Sequence, residues 1–340
     1  MATMIDVAKK AGVSLSTVSY VLNGTRPISE KTKAVVHKAM EELGYNPNAL
    51  ARGLAGKNTR IIAVLCPIEE RGIGMGELEV LSGAADAARK RGYHLVLWTY
   101  PLQEPEELKN LIRQELVDGV IVMEVHENDP RIDTLLECNE PFCMIGRCSN
   151  APDIGYIDIN FKQTVKDAID HLYQLGHRNI AFINQSKETF DSGYGPSVRT
   201  QHFFMEEMQK LDLTPVSEFC HAAPAEAYEI TKSLLDKNTE LTSLIVMNDR
   251  AISGIMQALS ERNIIVPDDF SLISIVTSSR TSELFMPQLT SVDYDGQAMG
   301  EVAVEQLINE LEEKQVKGEK VLLPLQLIKR KSTAICRIKR

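Results

Sequence analysis

The chain of 340 residues is long enough for two or three domains with buried cores, and 44% apolar with 25% charged residues is ordinary globular composition. Its longest apolar runs, IIAVLCPI and SLISIV, are far shorter than a membrane span, and MATMIDVAKKAG lacks a signal-peptide core, so no membrane partner and a cytoplasmic protein are expected. The net charge of −10 argues against a nonspecific polyanion binder, but it is unevenly spread: residues 1–60 hold nine Lys/Arg against four carboxylates (+5), and the rest 28 against 43 (−15).

In the basic head, three short helices are predicted from their caps. Thr3 and Asp6 form a capping box opening MIDVAKKA, closed by Gly12. Ser14 opens LSTVSYVLN, closed by Gly24, and Ser29 opens EKTKAVVHKAMEEL, closed by Gly44. Val7, Ala8, Val18, Val21, Leu22, Val35, Val36, Ala39 and Leu43 supply one small core. A helix, a short Gly-bearing turn and a second helix is the helix-turn-helix layout. With Val18, Val21 and Leu22 committed to that core, Leu15, Ser16, Thr17, Ser19, Tyr20 and Asn23 are left outward. They are small or flat enough to enter a major groove, where the N-terminal ones approach base edges and hydroxyls and amides anchor phosphates. The bland alternative is that these hydroxyls only cap and solvate the helix.

Residues 48–56, NALARGLAG, place Leu50 and Leu54 on one helical face, yet Gly53 and Gly56 weaken the helix by about 0.8–1 kcal/mol each. So short a segment is expected to fold only when something pairs with it, with Leu54 as the residue that packs.

From Arg60 onward apolar runs alternate with amphipathic helices. Strands are expected at 60–66, 93–98, 118–123, 142–146, 178–184, 243–247, 270–276 and 289–294, and helices at 77–91, 105–116, 161–175, 197–211, 225–236, 250–262 and 296–313. Such alternation implies parallel α/β sheets, with strands enough for two. Ligands of open α/β sheets sit beyond the C-terminal strand ends, so Ile68, Glu124, Arg147, Asn248, Asp249, Arg250 and Thr277 are candidate contacts. Capping of the next helix is the alternative for Asn248 and Asp249.

No catalytic site, cofactor or metal is expected. RGIGMGELE (71–79) resembles a dinucleotide loop but carries Glu where the last glycine is required, and GxxxxGK[ST], HExxH and GxSxG are absent. His171 and His177, six apart, do not share a helix face. The six cysteines form no CxxC pair and read as free thiols.

MIDVAKKAGVSLSTVSYVLNG, ISEKTKAVV, ELGYNPNALARGL, VDGVIVM, LGHRNIAFI, the Asn248-Asp249 pair, VPDDFSLIS and the C-terminal IKRKST resemble, in order along the whole chain, the LacI/GalR family of bacterial transcription repressors. The resemblance implies a homodimer whose heads read pseudo-palindromic operator double-stranded DNA. It also implies a periplasmic-binding-protein-like body with a small effector in its cleft, a sugar or sugar derivative in most members. It puts base reading on Leu15, Ser16 and Tyr20, phosphate contacts on Ser19 and Asn23, a minor-groove wedge on Leu54, and effector contacts on Arg147, Arg199 and Asn248. This chain departs from the family at Ser274 to Thr277, where Gly-Phe/Tyr-Asp is usual, at His202 in place of a Gly, and at Ile159-Asn160 in place of Asp-Asn.

The expected organisation is a helix-turn-helix domain at 1–47, a hinge helix and linker at 48–59, and a body at 60–340. The body has an N-subdomain of about 60–159 and 291–322 and a C-subdomain of about 160–290 and 323–340. The expected function is repression of a sugar-utilisation operon. The alternatives are a small-molecule binding protein without a DNA role, or a regulator answering to a purine or a protein co-repressor.

Overall fold

The computed structural model describes residues 2–23, 26–45, 59–68, 72–99, 104–313 and 318–337. The chain divides into two compact units, Met1–Arg60 and Ile61–Arg340. None of the described helices is long and apolar enough to cross a membrane.

The first unit holds α1 (Met4–Ala11), α2 (Leu15–Asn23) and α3 (Glu30–Leu43). The caps read from the sequence are present. The Thr3 hydroxyl accepts from the Asp6 N–H while the Asp6 carboxylate accepts from the Thr3 N–H, the Ser29 hydroxyl accepts from the Thr32 N–H, and Gly12 and Gly44 end their helices in the left-handed region. Gly24 and residues 48–58 of the hinge and linker expected at 48–59 lie outside the described residues. Val7, Ala8, Val18, Val36 and Ala39 form the buried centre. Val35 does not join it: Val36 and Ala39 are three apart and define the inward face, which turns Val35 to solvent.

The second unit contains two six-stranded sheets. The first runs in the order β11 (Lys320–Leu323), β5 (Tyr156–Ile159), β4 (Phe142–Ile145), β3 (Gly119–Val122), β1 (Ile61–Leu65), β2 (His94–Trp98), all parallel. The second runs β12 (Gln326–Ile328), β10 (Thr290–Asp293), β9 (Ser271–Thr277), β8 (Ser243–Val246), β6 (Ile180–Asn184), β7 (Val216–Phe219), parallel except for the antiparallel β12. Successive residues point to opposite faces, so Ile62 and Val64 enter one apolar layer of the first sheet while Ala63 and Leu65 enter the other. Burial on both faces makes inner strands such as β1, β3 and β8 read as unbroken apolar runs.

All eight expected strands form. β5, β7, β11 and β12 were not legible, being short and, for β5, interrupted by Asp158. The subdomain boundary expected at 291 falls inside β10, which hydrogen-bonds to β9 and β12; the chain returns to the first sheet only after Asp293, and Leu323 still belongs to β11. An apolar strand pattern marks a buried strand without saying which of two sheets takes it.

Candidate functional sites

In α2, Leu15 and Ser16 are exposed, Thr17, Ser19 and Tyr20 half-buried and Val18 fully buried, the division expected of a helix with one face in a core. Ser14 organises the helix start: its hydroxyl accepts from the Thr17 N–H at 3.1 Å and bonds the Ser16 and Thr17 hydroxyls at 2.7 and 2.8 Å. Thr17 therefore serves the cap as well as the surface. Asn23 is the last residue of α2, and Leu54 lies outside the described residues. Sequence reading passed over Arg26, whose guanidinium stacks on the Tyr20 ring at 5.0 Å and so brings a cation to the exposed face of α2.

The second unit encloses a cavity of about 970 Å³, lined by the C-terminal ends of strands from both sheets. This is where side chains from separate strands converge in open α/β sheets. Asn248, Asp249 and Thr277 line it as expected, with Glu124 and Arg250. Ile68, Arg147 and Arg199 do not. Ile68 carries its N–H to the Thr99 carbonyl and is partly exposed, leaving Pro67 in the wall.

Arg147 and Arg199 are held in an ion cluster around Asp158, which itself lines the cavity. Arg199 Nη2 lies 2.8 Å from Glu127 and donates to the Arg147 carbonyl at 2.6 Å, while Arg199 Nη1 and Arg147 Nε lie 3.5 and 3.3 Å from the Asp158 carboxylate. Burial pushes the Asp158 carboxyl up to about 6, against the pull of both guanidiniums. The cluster joins the two subdomains, since Arg199 lies in helix Gly195–Lys210 beside the second sheet and Asp158 in β5 of the first. Backbone bonds reinforce the junction: the Glu127 N–H donates to the Gly193 carbonyl at 2.8 Å, and the Gly195 N–H to the Val125 carbonyl at 3.1 Å.

A second buried pair stands in the cavity wall. Arg131 donates through Nε and Nη2 to both oxygens of Asp129, at 2.9 and 2.6 Å, and Nη2 also reaches the Glu124 carbonyl. Burial works to raise the Asp129 carboxyl, but Arg131 and the N–H groups of His126 and Arg131 hold it below the usual range. The pair begins helix Pro130–Cys138, which sequence reading left unassigned.

Two wall residues adopt left-handed backbone, Glu124 at φ 55° and Val276 at φ 54°. For a β-branched residue this is strained by about 1–3 kcal/mol, and it coincides with a register shift in the β9–β10 ladder between Val292 and Asp293. The resulting bulge re-aims Thr277 toward the wall. Tyr294, immediately after β10, also lines the cavity.

Family profiles match in two places. Residues 3–48 match bacterial regulatory proteins, lacI family, and residues 169–333 match a periplasmic binding protein-like domain. The chain is 29% identical over 342 residues to Catabolite control protein A of Priestia megaterium, covering 97% of this chain and 99% of the relative. It is 30% identical over 341 residues to the HTH-type transcriptional repressor PurR of Mannheimia succiniciproducens, covering 98% of each. Among solved structures, the lac repressor dimer bound to operator and the anti-inducer ONPF matches with a TM-score of 0.81 at 26% identity, covering 98% of this chain and 99% of that one. The transcriptional regulator CelR in its cellobiose complex shares the fold, with a TM-score of 0.73 at 24% identity over 98% and 100% of the chains. These relatives are regulators and not enzymes, and the match runs from the head through the body: the chain belongs to the LacI family of bacterial regulatory proteins and is a DNA-binding transcriptional regulator.

Proposed function

We propose that this protein is a cytoplasmic, homodimeric repressor whose affinity for a pseudo-palindromic operator is set by a small polyhydroxylated effector, a sugar or sugar derivative, in the cavity between the two sheets. The observation that carries the reading is the polar convergence of Asn248, Asp249, Thr277 and Arg131 on one cavity, joined in the same chain to a helix whose Leu15, Ser16 and Tyr20 face outward. Base contacts fall to Leu15, Ser16 and Tyr20, phosphate contacts to Thr17, Ser19, Asn23 and Arg26.

Dimerisation is supported by Leu284 and Met286, 76% and 86% exposed and two apart in sequence, large apolar side chains that a second copy would cover. The lac repressor relative was solved as a dimer on operator. Effector control would pass through residues 48–58, which we assign to a hinge that folds in pairs on DNA with Leu54 as the minor-groove wedge. Unstacking costs a few kcal/mol and one buried Leu returns about 1.5–3 kcal/mol, so two hinges are needed together. A near-balanced equilibrium of this kind is one that a modest change at the cavity can shift.

The test is fluorescence anisotropy of the full-length protein on DNA upstream of its own gene, at two salt concentrations, with and without a sugar panel. Binding that is tight, steep in salt and changed by one panel member is expected. Absence of specific binding at low salt sinks the repressor reading.

A further inference from the structure

Arg131 stands in the cavity wall under conditions that oppose an arginine. It is 3% exposed, and it lies in the first turn of helix Pro130–Cys138, the end at which the helix dipole disfavours a cation. The helix start does not require its side chain. Asp129 caps that end by accepting from the Arg131 backbone N–H at 3.1 Å, a bond that any residue except proline would supply. The guanidinium is nonetheless held on two of its three nitrogens. Nε and Nη2 donate to the two Asp129 oxygens at 2.9 and 2.6 Å, and Nη2 donates also to the Glu124 carbonyl at 2.9 Å. Asp129 is itself buried and accepts a further N–H from His126 at 3.1 Å. Nη1 has no partner among the described residues.

Because a guanidinium is planar, fixing Nε and Nη2 fixes the directions of the two Nη1 N–H bonds as well. Its charge is matched by Asp129 at bonding distance, so Nη1 acts as a directed donor and not as a free cation. Two more buried groups with capacity to spare come from the second sheet. Thr277 Oγ1 is buried with no partner among the described residues, and Asn248 gives one amide N–H to the Cys220 carbonyl and keeps its other polar valences. These side chains, from the helix after β3, the end of β9 and the turn after β8, line one cavity. Donors and acceptors held side by side match hydroxyl groups, which both give and take a hydrogen bond.

Resting on the effector reading of the same cavity, we propose that Arg131 is a specificity-determining residue for the effector: its Nη1 donates to one hydroxyl oxygen of an uncharged polyhydroxylated ligand, and Asp129 is the positioning residue that sets the plane of the guanidinium. The pair is then kept in the wall, against burial and the helix dipole, because it holds one donor still at the ligand.

The experiment is calorimetric titration of the full-length protein with a panel of neutral hexoses, pentoses and disaccharides, followed by the monodeoxy series of the member that binds. Removing the one hydroxyl read by Nη1 should weaken binding to the unmodified protein about tenfold or more, as for a hydrogen bond to a charged donor. Two variants carry the test: Arg131→Lys, which keeps the charge but not the fork, and Asp129→Asn with Arg131→Met, which removes the ion pair and keeps a capping side chain. Melting temperatures report that each is folded. In both, the parent sugar should fall to the affinity of that deoxy derivative, while the derivative itself changes by about twofold or less. A role confined to holding the helix would weaken parent and every deoxy derivative alike, and such uniform loss overturns the proposal. A panel in which no member binds, with operator binding intact, overturns it as well and leaves the DNA-binding regulator standing. Absence of operator binding with the deoxy pattern present would instead remove the repressor reading and leave Arg131 in its role.

Discussion

Gly76 and Tyr294 compete for one space: a Cβ on Gly76 would overlap the Tyr294 hydroxyl. Gly76 opens the helix that runs from the first sheet's side of the cavity, and Tyr294 stands where the chain leaves the second sheet, so the contact ties the two subdomains at the cavity wall. In an ordinary helix Gly→Ala gains about 1 kcal/mol. Here Gly76→Ala must turn a half-buried ring, and overpacking of about 1–3 kcal/mol should outweigh that gain. The expected result is a lower midpoint in urea and an altered effector affinity. Gly300→Ala should lose more, because its Cβ meets the Val80 carbonyl and backbone cannot rotate away.

Asp158 gives a pH signature. Its folded carboxyl, pushed up to about 6 by burial, holds a proton more tightly than its ordinary value of 3.8. Stability from this group is therefore present at low pH and lost as pH rises from about 4 through about 6. Asp158→Asn mimics the neutral form while Arg199 keeps Glu127. Unfolding in urea should show wild type and variant alike near pH 4, and the variant more stable by about 1–3 kcal/mol at pH 8. A variant less stable at pH 8 would mean that the ion cluster outweighs burial.

In the head, Ser16→Ala removes an exposed hydroxyl and leaves the Ser14 cap of Thr17 in place. Operator affinity should fall by about 1–3 kcal/mol with nonspecific binding unchanged. Arg26→Ala, by contrast, should weaken binding to all sequences and lower the salt slope by about one phosphate. Anisotropy over a salt series separates the two.

Residues 48–58 carry a prediction from sequence alone. Gly53→Ala with Gly56→Ala adds helix propensity of about 0.8–1 kcal/mol at each position. Operator binding should tighten and respond less to effector; coupling unchanged in the double variant would reject a folding hinge.

Met286→Lys with Leu284→Lys places two charges in the proposed subunit contact. Sedimentation velocity should find monomer where the unmodified chain is dimer, and operator affinity should drop with it. Dimer persisting in this variant would place the contact elsewhere.

The sequence by itself determined what depends on neighbours a few residues away. Thr3, Ser14 and Ser29 declared the head helices because a cap acts over three residues, and the apolar runs declared the α/β body because burial on both faces of the inner strands leaves no polar alternation. Strand ends also placed Asn248, Asp249 and Thr277 at the cavity, since parallel strands deliver their C-terminal ends to one side. Tertiary structure decided the rest. The glycines of RGIGMG, which looked like a failed phosphate loop, include one that makes room for Tyr294, more than 200 residues later. Arg199 meets Glu127 and Asp158, partners that no local pattern announces, and β5 was illegible because Asp158 looks out of place in a strand until both arginines are beside it. Caps and periodicity are local and can be read along the chain; the match of a charge or a void to its partner belongs to residues that only folding brings together.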